Sequence, residues 1–381
     1  MAVAAMPATR LDLLRNDSSS QGFARASQLR DFEFPRDHGP HPDFRHEWWY
    51  VTGQLESADC GRFGFELTFF RYALTLPGEL TRSTGASAWR ADQIYLAHFA
   101  ITDLKRREFY STQRYARAAL GLAGARSNPL RVWLENWQLE LSASTGSLRA
   151  ASERYQISLN LQPLLEPVLN GEQGLSRKSS NAASYYYSMP RIAVKGHLTR
   201  ESDQPVEVSG LAWLDREWGS GALGADQQGW DWFALQLDDG SSLMFYSLRR
   251  HDGKRDPHSA GTWVMADGHS RAMTSEEVQL EVINRWTSPR GGTYPAGWRL
   301  RAPAIALDVT IQPLLADQEL AAASPRYWEG AVSVEGRRGE RKSTGRGYVE
   351  LVGYARAPDG ATMPAKARNQ RHDKGRGREY Q

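Results

Sequence analysis

A single cysteine, Cys60, stands in 381 residues, so no disulfide can form within the chain. That leaves the compartment open, because exported and internal proteins both occur without disulfides. Long apolar runs are missing as well. Met1 to Ala8 is too short for a signal peptide, and no stretch reaches the length of a membrane-spanning helix. There is no Gly-rich phosphate loop, no Gly-x-Ser-x-Gly nucleophile elbow and no Cys–His pairing that would use Cys60. Helical periodicity beyond three turns is absent, with short helices expected only near Ser111 to Leu122 and Ser275 to Ile283. Excess charge is also scarce where it would matter. The net charge is +3, but Arg356 to Gln381 carries seven basic and three acidic residues, which leaves −1 for the rest. The folded part therefore carries no nucleic-acid footprint, and no nucleic-acid partner is expected for it. The tail, 357–381, reads as a disordered basic end, and 1–30 as an irregular N-terminal segment.

What the chain does have is aromatic side chains, with 13 Trp, 15 Tyr and 12 Phe. Rings in this number suit either a β core or an apolar cavity. It also has an internal echo. Leu159-Asn160-Leu161-Gln162-Pro163-Leu164-Leu165 returns as Val309-Thr310-Ile311-Gln312-Pro313-Leu314-Leu315, and Trp137 precedes the first as Trp286 precedes the second, 149 residues apart. Trp48 to Leu55 matches Trp230 to Leu237, which places Gln54 with Gln236. Ala193 to Gly196 matches Val332 to Gly336, and Gly210 to Trp213 matches Gly347 to Glu350. Matches in the same order predict two copies of one fold. Between them run segments rich in β formers, such as Phe63 to Tyr72 and Ile94 to Ile101, and Tyr155 to Leu161 alternates cleanly. Many antiparallel strands must close or stack to protect their edges. The expected architecture is all-β: two tandem antiparallel β-barrels, or barrel-like sandwiches, of roughly eight to ten strands each. The domains are expected at 31–222 and 223–356, with a seam over Asp215 to Gly229.

Two constellations carry chemistry. Trp213-Leu214-Asp215-Arg216-Glu217-Trp218-Gly219-Ser220 closes the first copy, and Gly229-Trp230-Asp231-Trp232-Phe233 opens the second. Carboxyls beside Trp are desolvated, which raises their pKa and suits a general acid. The blander reading pairs Arg216 with Asp215 or Glu217 as a buried ionic staple between barrels. The second constellation, Phe34 to Tyr50, holds His38, His41 and His46 among acids. Histidine and carboxylate suit zinc or iron, but this spacing matches no ligand pair on a helix or strand, so a polar plug over a barrel mouth is preferred and no metal is expected. Ser184-Tyr185-Tyr186-Tyr187-Ser188 offers phenols to a cavity or to packing, and His98 sits alone in an apolar strand.

At these constellations the chain resembles the AttH-like family, lipocalin-like relatives of hydroxyneurosporene synthase that bacterial genomes label predicted secreted hydrolases. The resemblance rests on Phe34-Pro35-x-Asp37-His38-Gly39-x-His41-Pro42, Glu47-Trp48-Trp49-Tyr50, Trp213 to Ser220 and Gly229 to Phe233. It continues through Gly174 to Lys178, Ala183 to Ser188 and Tyr327-Trp328-Glu329-Gly330, so that it covers about residues 22 to 355. It implies a pair of lipocalin-like β-barrels. Relatives of known activity include carotenoid 1,2-hydratases and a fungal phytoalexin hydratase, which add water across an isolated double bond. By position, the resemblance implies Asp215, Glu217 and Asp231 as acids, with Trp218, Trp230 and Trp232 as an aromatic wall. Glu47, Trp48, Tyr50, His98, Tyr186 and Arg216 complete the expected ligand-binding set, without a cofactor. The hydratases carry a histidine where this chain has Arg216, and a guanidinium cannot shuttle protons.

The expectation is a secreted or periplasmic protein, its leader absent from this chain, that handles an apolar lipid- or isoprenoid-like ligand. It acts as a hydratase or hydrolase, or as a non-catalytic carrier beside an ABC-type exporter. A closed cavity would leave only an interaction module. The cavity is expected in the first domain near the seam, reached by Trp48, Tyr186, Trp218 and Trp230, with Asp231 or Glu217 facing it.

Overall fold

The computed structural model describes residues 21–77, 91–201, 203–219, 221, 223–321, 323 and 326–355. Residues 1–20 and the tail 357–381 lie outside them, and 21–30 follow an irregular path. The structure is all-β, and the helical pieces among the described residues are single 3-10 turns.

The first antiparallel sheet contains β1 (His46–Ser57), β2 (Gly61–Ala73), β3 (Gln93–Asp103), β4 (Glu108–Arg117), β5 (Ala123–Arg126), β6 (Leu130–Leu134), β7 (Trp137–Leu141), β8 (Gly146–Ala151), β9 (Tyr155–Pro163), β10 (Val168–Leu169), β11 (Leu175–Arg177), β12 (Ala183–Arg200) and β13 (Val206–Gly219). The second contains β14 (Gln227–Leu237), β15 (Ser242–Arg250), β16 (Ala260–Val264), β17 (Ser270–Thr274), β18 (Gln279–Thr287), β19 (Thr293–Ala302), β20 (Leu307–Pro313), β21 (Glu319–Leu320), β22 (Tyr327–Arg338) and β23 (Arg341–Leu351). The first is ordered β4-β3-β2-β1-β13-β12-β9-β8-β7-β6-β5, and the second β17-β16-β15-β14-β23-β22-β20-β19-β18. The two windings run in parallel except that the first continues into β6 and β5.

That extra hairpin decides closure. β5 and β6 reach back to β3 and β4, so the first sheet forms a nearly closed barrel; the second, without such strands, is a half-barrel. Together they make a double-lipocalin fold. The first sheet has thirteen strands, more than the pattern suggested, because the β5/β6 hairpin extends the winding and short β10 and β11 add to β12.

Three local expectations differ from the structure. Ser111 onward is not helical: it lies in β4, paired with β3. Ser275–Glu277 is one 3-10 turn with a Thr274/Glu277 capping box, after which Val278 is already extended. Trp137 and Trp286 are not equivalent. Trp137 opens β7, whereas Trp286 nears the end of β18 opposite Tyr294, because β19 has 10 residues where β8 has 6. Gln162 and Gln312 do hold matching places, each next to last in a strand that pairs with β12 or β22.

Burial explains which strands were easy to read. The outer face of β9 meets solvent, so buried and exposed residues alternate along it. β1, β2, β3, β14 and β15 are buried on both faces over most of their length. One face looks into a barrel filled by side chains such as Trp49, Phe69 and Trp218, or in the half-barrel Phe233, Trp298 and Trp328. The other face meets the second unit through Tyr50, Tyr186, Trp213, Trp232, Met244 and Tyr348.

A reciprocal pair of glutamines locks this contact. Gln54 Nε2 on β1 donates to the carbonyls of Val332 and Gly347, at 2.8 and 2.9 Å. Gln236 Nε2 on β14 donates to Pro190 and Ala212, at 2.8 and 3.0 Å. Each amide thus satisfies two carbonyls across the seam, and removing one strands both. Gln54→Leu is expected to cost about 1–3 kcal/mol per orphaned carbonyl in denaturant unfolding; an unchanged midpoint would mean that water replaces the bonds.

Candidate functional site between the barrels

The seam does not close completely. A cleft of about 690 Å³, counting its open mouth, is lined by Trp48, Tyr50, Phe70, Lys178, Tyr186, Asp215, Glu217, Trp230, Trp232, Tyr246, Leu248 and Glu350. It lies between the units, not in the first barrel. Strand alternation puts the lining there. On β13, Trp213, Asp215 and Glu217 face the seam, while Leu214, Arg216 and Trp218 face the barrel core. On β14, Trp230 and Trp232 face the seam and Asp231 does not.

This phase sorts the expected site residues. Trp48, Tyr50, Tyr186, Asp215, Glu217, Trp230 and Trp232 come together at the cleft. Asp231 points into the half-barrel, where it pairs with Arg249 at 2.9 Å and accepts from the Tyr354 hydroxyl at 2.9 Å. Trp218 is buried in the first barrel with His41 stacked on it at 3.7 Å. His98 is not itself in the lining; it meets the Tyr327 hydroxyl at 2.7 Å and packs edge-on behind Phe70. Glu47 and Arg216 belong to a different assembly. Arg216 does not staple Asp215 or Glu217; it pairs with Glu47, which Arg71 also engages. Desolvation opposes ionisation of Glu47, but these two guanidiniums hold its carboxyl well below the ordinary range. Arg216 also donates to the Gly39 carbonyl at 2.7 Å, and Arg71 to those of His41 and Phe44. The segment from Phe34 to Phe44 is thereby fastened as a plug in the barrel mouth. The histidines here take separate partners: in the plug His38 meets the Tyr187 hydroxyl and His41 stacks on Trp218, and His46 at the start of β1 stacks on Trp48.

The cleft carboxyls are individually distinct. Asp215 accepts from Tyr186 Oη at 2.5 Å, Ser188 Oγ at 2.6 Å and Trp213 Nε1 at 2.7 Å. Desolvation nonetheless raises it to about 7, with Glu217 adding to the rise. Glu217 pairs with Lys178 at 3.4 Å and accepts from Ser184. The Lys178 ammonium lies 3.8 Å from the Tyr246 ring centre. Glu350 accepts one bond, from Trp230 Nε1 at 2.5 Å, and desolvation with nearby Asp215 and Glu217 raises it to about 7. Behind it lie Glu329, directly opposite on β22, and Glu66 on β2. Desolvation and mutual repulsion raise Glu329 well above normal, and desolvation with Glu350 raises Glu66 to about 8. No carboxylate oxygen of Glu66 or Glu329 has a hydrogen bond of ordinary geometry.

Lys178, Tyr246, Glu350 and the two glutamates behind it were missed from sequence. The match of Gly210 to Trp213 with Gly347 to Glu350 pointed to this strand but two residues out of register, setting Trp213 and not Asp215 against Glu350. Tyr50 faces Asp215 in the β1/β13 register and Trp232 faces Glu350 in the β14/β23 register, so Glu350 takes the place in the second sheet that Asp215 takes in the first.

The model of AttH-like proteins matches residues 25–354. The chain belongs to the AttH-like family. A crystal structure of an AttH from Nitrosomonas europaea is 36% identical, covers 87% of this chain and 100% of its own, and gives a TM-score of 0.77. Kievitone hydratase from Nectria haematococca is 15% identical over 90% of this chain and 98% of its own, with a TM-score of 0.64. CghA, solved with Sch210972, is 13% identical over 88% and 97%, with a TM-score of 0.53. At those identities the likeness is one of fold. No curated protein matches the chain. Arg216, the expected point of departure from the hydratases, faces the barrel and not the cleft.

Two outcomes follow from the charges. Glu47→Gln leaves Arg71 and Arg216 buried without a counter-charge and is expected to lower stability by about 3–5 kcal/mol in denaturant unfolding; a loss under about 1 kcal/mol would show that the mouth is wet. The raised carboxyls keep protons in the fold that the unfolded chain, at ordinary values of 3.8 and 4.5, has released, so they weaken the fold as pH rises. His38 and His46, lowered to about 4 first by burial and then by nearby arginines, act oppositely, but only up to their ordinary 6.5. The melting temperature is therefore expected to fall from pH 6.5 towards about 8. A rise over that interval would contradict the protonated carboxyls.

Proposed function

We propose that the seam cleft is the active site of a hydratase acting on an apolar, isoprenoid-like alkene. The observation that carries this is the combination of a wall of Trp and Tyr rings with two buried carboxyls, Asp215 and Glu350, raised to about 7. An apolar ligand gains affinity from burial against such faces. A carboxylic acid kept protonated near neutrality can transfer its proton to an alkene carbon. The O–H bond breaks, a C–H bond forms, and the neighbouring carbon becomes a tertiary cation. Trp48, Trp230 and Trp232 stabilise that cation through their π faces. Water then adds to it and loses a proton to a carboxylate, so that the sum is alkene plus water to alcohol. The hydratase name of one fold relative supports the choice of reaction class.

Export to the periplasm belongs to the same proposal and is checked by cell fractionation; work beside an ABC-type transporter belongs to the carrier reading and is checked by co-purification.

The decisive experiment incubates purified protein with linear isoprenoid alkenes, and separately with their esters, in ¹⁸O-labelled water. Labelled tertiary alcohol is expected from the alkenes, with turnover reduced at least about a hundredfold in Asp215→Asn and Glu350→Gln while ligand retention persists. Retention without conversion by the wild type would establish a carrier. Neither retention nor conversion would leave the cleft a mere packing gap in an interaction module.

A further inference from the structure

We infer that the cleft carboxyls have opposite tasks: of the two, Asp215 gives up its proton first and is the base that takes a proton from water, and Glu350 keeps the proton that is delivered to carbon. This assignment rests on the hydratase reading. It is carried by the direction of the hydrogen bonds, which donor-only groups determine.

The three bonds to Asp215 all point inward. Trp213 Nε1 has no acceptor capacity, so its bond to Oδ1 at 2.7 Å runs one way. The indole of Trp232 donates to Tyr186 Oη at 3.2 Å, which turns the Tyr186 proton towards Oδ2. The amide Nδ2 of Asn170 donates to Ser188 Oγ at 2.8 Å, which turns the Ser188 proton towards Oδ1. Asn170 is itself oriented from the other unit, because Thr262 Oγ1 on β16 donates to its Oδ1 at 2.7 Å. All three bonds favour the ionised form, whose charge they stabilise. As a carboxylate it accommodates all three and keeps about one acceptor site, enough for a water.

Glu350 has the reverse surroundings. Its one bond comes from Trp230 Nε1. The charges that act on it are acids: Glu329 and Glu66 behind, Asp215 and Glu217 across the cleft. Lys178 is committed to Glu217 and counts towards Asp215. Adjacent carboxylates without cations cannot all ionise. The proton therefore stays on the Glu350 side. In the reaction Glu350 loses that proton to carbon, the cation takes the oxygen of water, and Asp215 receives the proton that water releases. A transfer from Asp215 back to Glu350 through solvent restores both. Asn170, Ser188, Trp213 and Thr262 are positioning residues, since they act through Asp215.

Infrared spectra of the ligand-free protein, titrated from about pH 4 to about pH 9, test this without a substrate, so the assignment and the hydratase reading fail separately. The protonated-carboxyl band near neutral pH should shrink in Glu350→Gln and persist in Asp215→Asn. Removing an oriented donor, in Tyr186→Phe or in Asn170→Leu, should shift the Asp215 titration upward by about one pH unit, a tenfold change in its proton affinity. These two variants preserve shape and serve if the acid replacements do not fold. A band lost in Asp215→Asn and kept in Glu350→Gln reverses the assignment, and a titration unmoved by both donor variants removes the positioning role.

Discussion

Everything distinctive in this molecule depends on two sheets packing back to back. Where the outer faces of β1, β2, β12 and β13 are covered by β14, β15, β22 and β23, neither face of these strands meets bulk water. A polar side chain there has to be satisfied by the opposing unit or bear the cost of desolvation. Gln54 and Gln236 show the first outcome, each donating to two carbonyls across the contact. Glu66, Glu329 and Glu350 show the second, with protons retained well above the ordinary range.

The two sheets bring residues of matching register to the contact, and the differences between them are chemically informative. Trp48 corresponds to Trp230, Tyr50 to Trp232 and Asp215 to Glu350 by register. Their surroundings have diverged. Beside Asp215 stand Tyr186, Ser188 and Trp213, all donors; beside Glu350 stands a further acid, Glu329. A cluster of unpaired buried carboxyls destabilises a fold, and groups that oppose stability concentrate where function needs them. Two related acids in unlike environments are also what separates proton donor from proton acceptor in general acid–base chemistry.

The barrel lumens take no part in this. The first is filled by rings and plugged by the segment from Phe34 to Phe44 through the Glu47, Arg71 and Arg216 cluster. That cluster looks like a site in sequence because it gathers acids, arginines and histidines, yet its carboxylate is already held between two guanidiniums. A double-lipocalin chain of this kind binds, in our reading, at the join between its units.

Much of the architecture was legible from residues alone. Alternation along Tyr155 to Leu161 and the recurrence of Gln162 at Gln312 depend on local pleat and on backbone repeats, which a sequence records directly. The aromatic and acidic content of the seam was legible too, because Trp48, Tyr50, Asp215 and Trp230 lie in two short stretches. Which of those residues share a face was not. A strand buried on both sides shows no polar alternation, so nothing local reveals that Asp215 faces the cleft while Asp231, beside Trp230, turns into the half-barrel. Glu350, Lys178 and Tyr246 are distant in the chain and ordinary in context. Only the approach of two outer sheet faces brings them to Asp215, and only the desolvation of that approach makes acids of ordinary sequence context chemically unusual.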